Sequence, residues 1–144
     1  MKKLTIALIG LAVAATAAFA GPIEDREALM KQRGAAVGAL MKVAKGETPF
    51  AAADVLTQLQ LLQDNATKGA DVATLWPEGS AGDSEAGPAI WSDNAGFKAA
   101  SDKYKADVDA VVAAPPADAA ALQVALGAVT KNCGACHQVY RVKK

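Results

Sequence analysis

Apolar residues recur along this chain with helical spacing, and alternating strand-like runs are absent. Ile23, Met30, Val37 and Ala44 repeat every seven residues, with Leu29, Leu40 and Met41 beside them, which predicts a first helix over residues 23–45. Gly46 is its natural stop, because glycine adopts the left-handed conformation that ends many helices. Val55, Leu56, Leu59, Leu62 and Ala66 form a second stripe, on a helix that Thr48 would cap, Pro49 open and Lys68 and Gly69 close. Residues 75–87, "LWPEGSAGDSEAG", are rich in Gly, Ser, Pro and acid and read as the long loop. Ile90, Phe97, Tyr104 and Val111 repeat by sevens in a third helix that starts near Pro88, with Ala100 and Val108 beside them. Pro115 and Pro116 break the chain, and Asp118 can cap a fourth helix. There Leu122, Ala125, Leu126, Val129, Cys133, Cys136, His137 and Tyr140 share one face. Four amphipathic helices with two short connections and one longer one predict an all-α, antiparallel four-helix bundle.

The first twenty residues stand outside this pattern. Lys2 and Lys3 precede an apolar run from Leu4 to Ala18, and Ala18-Phe19-Ala20 follows the small-residue cleavage rule. Residues 1–20 therefore read as a cleaved secretory signal peptide, the run being shorter than the roughly 20 residues of a spanning helix. Residues 21–144 are expected to form one domain in an exported compartment, the periplasm, with no stable membrane insertion. Without Lys2 and Lys3 the chain holds 13 basic and 15 acidic side chains, in no long run of either sign. Nucleic-acid binding, which needs a concentrated basic face, has no support.

The chemistry is concentrated in "KNCGACHQVYRVKK", which holds the two cysteines, Cys133 and Cys136, and the single histidine, His137. A disulfide between them would close a very small loop and constrain little of the unfolded chain. A redox dithiol would sit at the start of a helix that follows a strand. A structural zinc site would need four ligands, and no second cluster exists. Cys-x-x-Cys-His is the attachment signature of one covalent haem c: two thiols add to the vinyl groups and the imidazole reaches the iron from the same side. With its one histidine used this way, the chain has no Ser-His-Asp or Cys-His set, and no enzyme activity is expected. Acidic pairs such as Asp107 and Asp109 read as a solvated helix surface.

This C-terminal haem motif on a four-helix chain resembles the class II cytochromes c, that is, cytochrome c′ and its low-spin relatives. "REALMKQRGAAVGALMKVAKGETPF" is similar to the family's first helix and the junction after it. "LWPEGS", "PAIWSDNAGFK" and "CGACHQVYR" are similar to its loop, third helix and terminal motif. The resemblance implies thioether bonds from Cys133 and Cys136, His137 as proximal iron ligand, and a first helix covering the other haem face. It places Met30 at the distal position, Arg26 beside a propionate and Arg141 beside the proximal face. In the low-spin branch a methionine there is the sixth ligand; in the c′ branch the distal residue only fills space and iron binds small gases such as nitric oxide. "LMK-x-x-G" resembles the low-spin version, and Gly34 would give the haem ring room beside Met30. The implied function is one-electron transfer with redox partners of a respiratory or photosynthetic chain, or gas binding in the five-coordinate alternative. The implied assembly is a monomer or a homodimer through the first two helices. Trp76 and Trp91 are expected to pack the loop and third helix against the haem side of the core.

Overall fold

The computed structural model describes residues 21–144, so the leader expected over residues 1–20 lies outside the described residues. The elements are α1 (Pro22–Ala44), α2 (Ala52–Gly69), α3 (Val72–Leu75), α4 (Ala89–Ser92), α5 (Asn94–Ala113) and α6 (Ala119–Tyr140). The four long helices form a ring in which α1 and α5 each pack against α2 and α6. This is the four-helix bundle that the apolar stripes predict. Among the described residues β-type pairing is limited to one antiparallel bridge between Ala86 and Arg141.

Helix α1 begins at Pro22, which lacks only a donor that the first turn leaves unpaired anyway, and Glu24 and Asp25 favour its positive end. It ends at Ala44, and Gly46 follows at φ +73°. Its inner face follows the predicted stripe in part: Leu40 is buried, and Val37, Met41 and Ala44 pack against the core. The buried residues are Arg26, Ala36 and Leu40, with Leu29 and Arg33 half-buried in the same register, whereas Met30 is 41% exposed. Two arginines and an alanine occupy inward positions that an apolar pattern passes over.

Helix α2 starts at Ala52 rather than at Pro49, and no side chain caps it. Phe50 packs against the core, residues 49–51 precede the helix with Ala51 at its N-cap position, and Thr48 and Pro49 do not play the predicted roles. The predicted third helix is split. Asp93 interrupts it at φ −126° and ψ 53°, and its carboxylate accepts from Gly96 N at 3.2 Å to cap α5. Asp118 caps α6 as expected, accepting from Ala121 N at 2.8 Å. The short helix α3, capped by Asp71, leads into the long loop.

Burial falls into two clusters. The larger holds Leu40, Leu59, Leu62, Val108, Leu122 and Leu126, each worth about 1.5–3 kcal/mol when fully buried. The smaller joins Val72, Ile90, Phe97 and Tyr140, with Trp76, Trp91 and Cys136 packed against it.

Candidate haem site

A cleft open to solvent lies where the two clusters meet. Helix α6 contributes Asn132, Cys133, Cys136 and His137 to its wall. Facing chain comes from α1, through Arg26, Leu29, Met30 and Arg33. Phe97, Ser101 and Tyr104 of α5 and Trp76 of the loop complete the enclosure. Met30 and His137, 107 positions apart in the chain, thus line one cavity from α1 and α6.

Cys133 and Cys136 are free thiols, half-buried one turn apart on the same helix face. Burial pushes the Cys136 thiol above its ordinary range, against the opposing effect of the Arg33 charge. The pKa of the His137 imidazole is held below its ordinary value, first by burial and then by the positive charges of Arg141 and Arg33. The imidazole is therefore biased toward the neutral form, the state in which a ring nitrogen can bind a metal.

Arg26 is 4% exposed and its guanidinium lies 4.4 Å from the centre of the Trp76 ring. Its two Nη atoms donate to Leu75 O, Ser80 Oγ, Ser80 O and Ser84 Oγ at 2.6–3.2 Å. It ties α1 to the long loop. Arg141 donates from Nε to Glu85 at 2.6 Å, and Gly87 N donates to Tyr140 O at 2.8 Å, so the tail after α6 is fixed to the same loop. Trp76 lines the cleft, edge-on to Phe97 at 5.0 Å. Trp91 does not line it; its Nε1 donates to the carbonyls of Trp76 and Pro77 and supports the loop from behind.

Gly34 is not where the sequence reading puts it. It faces the groove between α1 and α2 with Ala35, Gly38 and Ala39, away from the cleft. Arg33 and Asn65, in contrast, went unnoticed in the sequence. Asn65 is buried on α2 and accepts from Arg33 Nε at 3.0 Å. Only the tertiary fold brings them together.

The sequence model of the family described as Cytochrome C′ matches residues 21–141. The chain belongs to the cytochrome c′ family. It is 41% identical to cytochrome c-556 of Agrobacterium fabrum, over all of this chain and 97% of that protein. It is 35% identical to cytochrome c′ of Rhodopseudomonas palustris, over 94% of this chain and 88% of that one. Among solved structures, a nitric oxide complex of a variant cytochrome c prime from Alcaligenes xylosoxidans superposes with a TM-score of 0.76 at 31% identity, covering 88% of this chain and 99% of that chain.

Membership of the cytochrome c′ family makes this a haem c electron-carrying protein, and the two cysteines are consistent with covalent attachment. The cavity fits such a group. Its wall is largely apolar and aromatic, and the Tyr104 hydroxyl is buried there without a hydrogen-bond partner. No described helix is long and apolar enough to cross a membrane.

Proposed function

We propose that the protein is a periplasmic one-electron carrier whose haem c is held by thioether bonds from Cys133 and Cys136, with His137 and Met30 as axial iron ligands. The observation that carries this reading is the position of Met30. A core methionine would be buried, whereas this one is 41% exposed and lines the cavity opposite α6. The haem supplies the one-electron couple when bound; the chain supplies two thiols, a neutral imidazole, a thioether and a largely apolar wall. A Met/His pair raises the potential and keeps the ligand set the same in both oxidation states. Arg26 would sit near a propionate edge while holding the loop. The partners would be redox proteins of a respiratory or photosynthetic chain, met by a monomer or by a homodimer through α1 and α2.

The second reading is a five-coordinate iron that binds nitric oxide, favoured by the Alcaligenes xylosoxidans relative crystallised as a nitric oxide complex. Absorption spectra of the oxidised holoprotein separate the two. A weak far-red sulfur-to-iron band, lost in Met30→Ala, is expected. A high-spin spectrum that the substitution leaves unchanged would put the gas-binding reading first.

A further inference from the structure

Arg33 is a cation on the cavity wall that the family's motif does not explain. It lies on α1 three residues after Met30, with its guanidinium carbon 4.2 Å from the centre of the Tyr104 ring. Its Nε donates to Asn65 Oδ1 at 3.0 Å, and Asn65 in turn donates to Leu29 O at 2.8 Å. Gly69 leaves space on a third side, since a Cβ there would stand 2.9 Å from an Arg33 Nη atom. The guanidinium is therefore fixed by an aromatic face, a buried amide and a close helix end. None of the ion pairs among the described residues includes it. Arg26, the other arginine of the wall, has its Nη donors engaged by the loop.

Resting on the assignment of haem c to Cys133, Cys136 and His137, we propose that Arg33 is a fixed cation of the haem cavity that raises its reduction potential. Reduction moves one electron from an external one-electron donor protein to ferric iron and removes one positive charge from the site. A cation held nearby, in surroundings less polarisable than water, disfavours the extra charge of the ferric state. It thereby favours the ferrous state. Arg33 acts through space, with no bond to iron, and Tyr104 and Asn65 are the residues that position it.

The test is a spectroelectrochemical titration of the holoprotein against Arg33→Gln, Arg33→Lys and Asn65→Asp. At the wild-type midpoint, the ferric-to-ferrous ratio is expected to rise about tenfold in Arg33→Gln, equivalent to about 59 mV for a one-electron couple. Arg33→Lys should stay within about threefold of wild type. Asn65→Asp places a carboxylate on the same guanidinium and should move the ratio in the same direction as Arg33→Gln. A ratio within twofold of wild type in both Arg33→Gln and Asn65→Asp overturns the proposal. An equal shift in Arg33→Lys and Arg33→Gln also overturns it, because lost packing would then be the cause. If Arg33→Gln does not fold, Asn65→Asp decides alone. Wild-type protein exported without covalent haem would instead remove the haem assignment itself, a failure visible before any variant is titrated.

Discussion

Tyr104 combines two opposed features: its ring stacks on Arg33, and its hydroxyl is buried without a partner. Burial pushes the phenol above its ordinary value near 10, against the lowering effect of the Arg33 charge. The unfolded chain then releases this proton at lower pH than the folded one. Above about pH 10 the folded state binds more protons, so stability falls as pH rises toward the folded value. Tyr104→Phe keeps the ring and removes both the titration and the unpaired group. It is expected to stay within about 1 kcal/mol of wild type at pH 7 and to flatten the loss of stability above pH 10, as read by urea unfolding. A steeper alkaline loss in the variant would show that the Arg33 charge outweighs burial and that the folded phenol ionises before the unfolded one.

At the scale of elements, α5 owes its start to Asp93, which accepts from Gly96 N at 3.2 Å and from Tyr140 Oη at 2.9 Å. Asp93→Ala is expected to cost about 1–3 kcal/mol, through the lost cap and the unpaired phenol. Urea midpoints check this, and a loss under 0.5 kcal/mol, roughly the scale of a neutral surface change, would contradict it. The stripes of α2 and α6 were legible in the sequence because their inward positions are aliphatic, as Leu59, Leu62, Leu122 and Leu126 are. Cys133, Cys136 and His137 were legible as one motif. The inner face of α1 was legible only at Val37, Leu40, Met41 and Ala44, because Arg26 and Arg33 hold inward positions and their burial depends on Trp76, Ser80, Asn65 and Tyr104 from distant segments. The start of α2 was misplaced because Thr48 and Pro49 satisfy local capping rules, whereas the helix begins at Ala52, after Phe50 has packed on the core.

At the scale of the molecule, Arg26 anchors the first helix to the loop that walls the cleft. Arg26→Gln removes most of those bonds and the stack on Trp76. Hydrogen exchange read by mass spectrometry should then show faster exchange in the first turns of α1, with α2 little changed. Unchanged α1 protection would mean that the anchor is dispensable. The ring of four long helices has four edges, and three of them are bridged by chain: α1 to α2, α2 to α5 and α5 to α6. The fourth, between α1 and α6, has no covalent bridge. It is a seam, the one edge that can part without stretching a connection, and Met30 stands on one lip with His137 on the other. Arg26, which ties α1 to the loop walling the cleft, therefore holds one lip of that seam in place.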